Sequence, residues 1–215
     1  MNYAPRFLLL LALSSTACRV VEAPLPEGVG RGLLRADARP SGVRVWQRPS
    51  WNVGTRIELV RGDEVRGALD LVAVDDGVYV LDDGAGRQLR RDADLGNLGE
   101  WFEGRPTRVL SPVDVRYHWP LWIGKRWECD FVDRARGGQA LPMVASYHVE
   151  GMDRVEVPAG IYDALRVRRT LRLVLPEDDG VFLSRTQMIW FAPDPGVEVR
   201  QLLGDTMVEL DGFRR

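Results

Sequence analysis

The chain has 215 residues and a mass of 24.2 kDa, and 45% of its residues are hydrophobic, enough to bury one substantial core or two small ones and to exclude a disordered polymer. Its 29 basic and 31 acidic side chains leave a formal charge of −2, so no excess of one sign is available to grip nucleic-acid phosphates. Residues 1–17 carry Arg6 as their only charged side chain, and without them the balance is 28 to 31, or −3.

In chain order, the first element is an address. Arg6 precedes the apolar run Phe7 to Leu13 and the small residues Ser14 to Ala17, the layout of a signal peptide. The run is far shorter than the roughly 20 residues a membrane-spanning helix needs. Ser15-Thr16-Ala17-Cys18 resembles the lipobox at which bacterial lipoproteins are acylated on sulfur and cut, with Ser15 standing where Leu is usual. Acylation of Cys18, palmitate being the expected chain, would leave Cys129 alone as a small buried hydrophobe. The alternative is ordinary cleavage near Ala17, with Cys18 a free thiol or a disulfide partner of Cys129. Several acyl chains, at about 0.8 kcal/mol per buried methylene, would make the membrane attachment durable. By resemblance to other lipoproteins, Arg19 in place of Asp points to the outer membrane. The 28 Arg against a single Lys, Lys125, suit a GC-rich bacterial genome.

Residues 18–50 contain Pro24, Pro26, Pro40 and Pro49 among several glycines and have no sustained period, so they read as a flexible tether, with Val43 and Val45 able to begin a strand. From Trp51 to the C terminus, short alternating stretches are punctuated by Gly and Asp, the pattern of antiparallel strands. Strands are expected at Ile57 and Leu59, Val65 to Val74, Val78 to Leu81, Arg126 to Val132, Val144 to Val157, Asp163 to Leu175, Val181 to Phe191, Val197 to Leu203 and Thr206 to Leu210. Residues 92–103 read as a short helix or loop, with Asp92 or Asp94 as N-cap. The chain is thus predicted to be an all-β antiparallel meander in one domain, 51–215. Gly54 to Leu59 and Gly124 to Cys129 share the frame Gly-x-Arg-apolar-Glu-apolar, which points to equivalent strands in two halves of one sheet.

Three segments carry a family resemblance: Trp119-Pro120-Leu121-Trp122-Ile123-Gly124-Lys125-Arg126-Trp127, Val155 to Val167 and Trp190 to Val199. In order and spacing they resemble the DUF3108-like (TapB-type) family of bacterial exported proteins and lipoproteins, over about Trp51 to the C terminus. The resemblance implies a curved sheet, half-barrel or clam-like, of the kind found in lipoprotein carriers, and no assigned activity. Physically, Pro158-Ala159-Gly160 and Pro193-Asp194-Pro195-Gly196 are turn sequences between strands.

Chemistry is sparse. His118 and His148 are the only histidines and have no ligand spacing, so neither a metal site nor a cofactor is expected, and no serine-nucleophile elbow occurs. Asp75-Asp76, Asp82-Asp83 and Asp178-Asp179 sit beside glycine as turn residues. Trp119, Trp122 and Trp127 form the most suggestive cluster, since amphipathic rings serve both cores and ligands. The residues therefore predict a membrane-anchored, non-catalytic module binding a hydrophobic ligand, an envelope polymer or a protein partner, with Trp119, Trp122 and His118 as candidate ligand contacts. A hydrolase using His118 with a nearby carboxylate, and a purely structural envelope protein, remain open as alternatives.

Overall fold

The computed structural model describes residues 30–62, 65–174 and 181–215. All regular structure among these residues is β. The first strands are β1 (Gly32–Ala36), β2 (Arg56–Arg61), β3 (Val65–Asp75), β4 (Val78–Asp82), β5 (Arg87–Arg91), β6 (Asn97–Phe102) and β7 (Arg105–Asp114). They are followed by β8 (Arg126–Ala135), β9 (Ala140–Val157), β10 (Gly160–Val174), β11 (Val181–Ala192), β12 (Val197–Leu203) and β13 (Thr206–Arg214). Residues 92–103, expected as a helix or loop, instead contain β6; Asp92 does cap backbone, but of a turn, accepting from the N–H groups of Asp94 and Gly96.

Strands β2 to β7 pair antiparallel in chain order, and so do β8 to β13. Each meander then closes on the other, β13 against β2 and β7 against β8, giving a barrel of twelve strands. The half-barrel or clam-like sheet is thereby corrected. Closure rests on the β13–β2 pairing between strands at opposite ends of the chain, which alternation does not report, and on a partial β7–β8 pairing.

The two meanders are equivalent. Counting around the ring, β2 and β8 lie six places apart, and each later strand of the first half has its counterpart six strands on. The shared frame noted above opens β2 and β8 with the same hydrogen bonds. Gly54 N donates to Leu71 O while Thr55 N donates to Asn52 O; in the other half Gly124 N donates to Val149 O and Lys125 N to Trp122 O. Leu71 N returns to Thr55 O as Val149 N returns to Lys125 O.

The symmetry breaks at one seam. β13 pairs with β2 along Arg56 to Arg61, whereas β7 pairs with β8 only over Val132 to Ala135. β1 takes the remaining edge of β8, Trp127 to Asp130, although the sequence assigned Gly32–Ala36 to the tether. Its five residues lack a self-evident period, so only the vacant edge of β8 explains the strand. Val43 and Val45 stay outside strands, and Trp46 makes an isolated bridge to Leu121.

Alternation sets the inward face. Trp127, Cys129 and Phe131 on β8 lie opposite Tyr147, Ala145 and Met143 on β9, and the Trp127 and Tyr147 rings stack at 4.9 Å. Leu165, Val167, Ile189 and Phe191 extend this core over β10 and β11. The expected turns at Pro158-Ala159 and Pro193 to Gly196 are present. Gly196 has φ +86° and faces Pro49 so closely that a Cβ would lie 2.6 Å from the Pro49 Cβ, which accounts for glycine there.

Candidate functional site

The β7–β8 connection, residues 115–125, holds the first motif and turns into the barrel. Tyr117 and Leu121 are fully buried, and the Tyr117 ring packs on Phe191 of β11 at 5.0 Å. Trp119 stacks on Tyr117 at 5.5 Å and donates its indole N–H to Asp94 O. Trp122 is buried, with the Lys125 ammonium 4.3 Å from its ring centre. Lys125 is itself 1% exposed and donates to the carbonyls of His118 (2.5 Å) and Pro120 (2.8 Å). Burial pulls its pKa down to about 8. The motif lysine is thus a clamp that folds the connection back on itself.

His118 is half-buried and its Nδ1 has no hydrogen-bond partner. Burial, then the nearby Lys125 charge, lowers its pKa. The carboxylate acting on it, Asp94, pairs with Arg48 at 3.2 Å. The structure therefore brings Trp119, Trp122 and His118 into one connection, but none of the three lines either large cavity described below. Cys18 lies outside the described residues.

Two buried ionic networks lie inside the barrel. Asp114 on β7 accepts from Arg169 of β10 at 2.8 Å and from the Tyr147 hydroxyl, and Cys129 Sγ is 3.8 Å away. Burial, then the Asp114 charge, pushes the Cys129 thiol pKa up. The second network centres on Glu198 of β12. It accepts from Arg116 Nε (2.5 Å) and Nη2 (2.8 Å), from the Tyr117 hydroxyl (2.7 Å) and from the Gln201 amide. Burial alone would raise the Glu198 pKa, but the Arg116 charge and its hydrogen bonds prevail and bring it down to about 2.

The first large cavity, about 730 Å³, is a groove on the outer face of β8 to β11, walled by β1. Several of its charges pair: Glu128 binds Arg35 (3.3 Å) and Arg172 (3.1 Å), and Glu150 binds Arg168 (3.1 Å). His148 lies here, half-buried, its pKa lowered by burial and then by Arg126. The second, about 650 Å³, lies inside the barrel. Its walls come from β2, β3, β5, β6, β12 and β13, strands on opposite sides of the ring, with Arg116 from the crossing connection. Leu59, Leu69, Leu89 and Val208 face it, half-buried although inward, beside Arg61, Arg87, Arg91 and Arg116. A narrow apolar recess bounded by Trp51, Ile57, Leu81, Leu95 and Phe191 adjoins it, sharing Leu59, Leu69, Arg91 and Gln201.

Sequence reading missed Arg91, Arg116 and Glu198. The one available signal was Glu198, an acid between Val197 and Val199 inside a motif otherwise apolar on that flank. Among the described residues no group of three His, Cys, Asp or Glu side chains is arranged to hold a metal.

No model of a known protein family matches the sequence, and no curated protein matches it. Solved structures do. The hypothetical lipoprotein YmcC from Escherichia coli superposes with a TM-score of 0.51 at 12% identity, over 76% of this chain and 87% of that one. A hypothetical lipoprotein from Parabacteroides distasonis gives 0.43 at 9% identity, over 79% of this chain and 99% of its own. A hypothetical exported protein with a YmcC-like fold from Bacteroides fragilis gives 0.41 at 10%, over 80% and 100%. The chain shares its fold with the YmcC structure.

Proposed function

We propose that the protein is an exported lipoprotein of DUF3108-like type, anchored through Cys18, whose barrel holds a small ligand in its lumen without transforming it. The observation that carries the binding role is the interior cavity of about 650 Å³, a volume within the range of small-molecule sites, whose wall sets Leu59, Leu69, Leu89 and Val208 among arginines and carboxylates. His118 Nδ1 has no hydrogen-bond partner and Asp94, the carboxylate acting on it, is held by Arg48, so no assembled pair there favours hydrolysis. The hypothetical lipoprotein YmcC, which shares the fold, supports the anchor and an envelope location. In this reading residues 1–17 are removed and Cys18 is acylated. Eleven residues separate Cys18 from Gly30, a reach of about 36 Å when fully extended, so the barrel sits near the lipid surface. Arg19 directs it to the outer membrane.

Two measurements test this. Cells fed a clickable palmitate analogue should label the protein, and Cys18→Ala should abolish the label; label retained on the variant refutes the anchor. Native mass spectrometry of protein extracted from its own envelope should show a bound small molecule that is lost when Leu59→Trp and Leu89→Trp fill the lumen. An unchanged adduct in the filled variant refutes the lumen as the site.

A further inference from the structure

Resting on the binding role just proposed, we infer that the luminal ligand is a single-chain amphiphile with an anionic head, and that Arg91 receives the head. Two guanidinium groups, those of Arg91 and Arg116, stand over one carboxylate, Glu198. Arg116 takes both carboxylate oxygens, and Tyr117 and Gln201 take the remaining acceptor positions. Arg91 Nη1 is left 3.7 Å from Glu198, outside hydrogen-bond range. Its one hydrogen bond among the described residues runs to Leu95 O at 3.4 Å. A guanidinium has five N–H donors in a fixed fork, so four are unspent on a side chain only 18% exposed.

A half-buried cation whose remaining donors open onto the cavity can take an anion, and the fork fits the two oxygens of a carboxylate or phosphate. Arg91 shares Glu198 with Arg116, so two cations face one carboxylate and a net positive charge remains there. Beside Arg91 the adjoining recess is mainly apolar, with Ile57, Leu59, Leu69, Leu81 and Phe191, whereas the wider cavity sets its leucines among Arg61, Arg66, Arg87, Asp83 and Glu100. A cation bordering that apolar recess describes a site for the head of an amphiphile. The cavity of about 650 Å³ suits one chain. In the outer groove Arg35 and Arg168 pair with Glu128 and Glu150, and the remaining arginine, Arg126, is exposed where Arg91 is half-buried.

The test uses the full chain with Cys18→Ala, so that no attached acyl group competes. Isothermal titration calorimetry below micellar concentration compares dodecanoate, dodecyl phosphate, neutral dodecyl maltoside and dodecyltrimethylammonium. Both anions should bind at least about tenfold more tightly than the other two, the fold-change expected for a charge-assisted hydrogen bond. Dodecanoate and dodecyl phosphate together distinguish a carboxylate from a phosphate source. Arg91→Gln should remove the preference while leaving dodecyl maltoside unchanged, and Arg91→Lys should retain part of it. Should Arg91→Gln not fold, Leu89→Asp, which puts a carboxylate on the cavity wall, should expel the anions selectively. Equal affinity for the four heads overturns the anionic assignment and leaves the binding role intact. No binding of any probe overturns both.

Discussion

Replacing Glu198 by Gln removes one negative charge from the barrel interior and changes almost nothing in volume. The carboxylate has its pKa brought from 4.5 down to about 2 by Arg116 and its hydrogen bonds, against the opposing effect of burial. That depression corresponds to about 3 kcal/mol of stability, on the order of 1.4 kcal/mol per unit. Because the native pKa lies below the unfolded one, the contribution is complete above about pH 4.5 and is lost as pH falls toward about 2. The variant also leaves Arg116, whose side chain is 9% exposed, without its counter-charge, and breaking a buried pair from one side costs about 3–5 kcal/mol. Urea unfolding at pH 7 should therefore show Glu198→Gln less stable by at least about 3 kcal/mol, a deficit a domain of ordinary stability survives. At pH 3 the gap should narrow to about half, since the unfolded parent then carries a protonated Glu198. All other carboxylates are common to both proteins and cancel in the difference. Stability curves that run parallel from pH 7 to pH 3 would refute the reasoning.

Other outcomes follow from the same structure. Lys125→Met should lower stability by about 2–4 kcal/mol in denaturant titrations, because the buried carbonyls of His118 and Pro120 lose their donor. Gly99→Ala should unfold or severely destabilise the barrel, since Gly99 has φ +133° and a Cβ would overlap the Arg108 carbonyl; Gly104→Ala, with φ +75° but open space around it, should cost only about 1 kcal/mol in thermal unfolding. Cys129 is fully buried with its thiol pKa pushed up, so a thiol reagent should label it only after unfolding; rapid labelling of the folded protein contradicts the packing. Trp119→Ala should reduce stability through lost ring packing on Tyr117 and Phe191, while luminal probe affinity stays unchanged.

Strand content was legible because period-two alternation and Gly or Asp turns are local signals. β8 and β9 read directly from Trp127, Cys129 and Phe131 and from Ala145 and Tyr147. β6 was not legible, because Gly99 interrupts its alternation and Asp92 and Asp94 imitate helix caps while serving a turn. β1 escaped for another reason: Gly32–Ala36 becomes a strand only because β7 leaves part of the β8 edge unpaired. The candidate site escaped more fully. Trp119 and Trp122 stood out by residue type, but type does not tell which side of a ring faces a cavity. Both rings pack along the crossing connection, and the lumen is lined by ordinary leucines and arginines from strands distant in sequence.

By itself the sequence determined the all-β character, the hairpins of the second half and the twin openings at Gly54 and Gly124, since each depends on residues close in the chain, whereas β5 to β7 were not read. Only the tertiary structure decided that the two meanders close into a ring, and that Arg91 and Arg116 share a single Glu198 beside an open lumen. Those features need side chains about a hundred residues apart to meet across a barrel, and a one-dimensional pattern does not encode that distance.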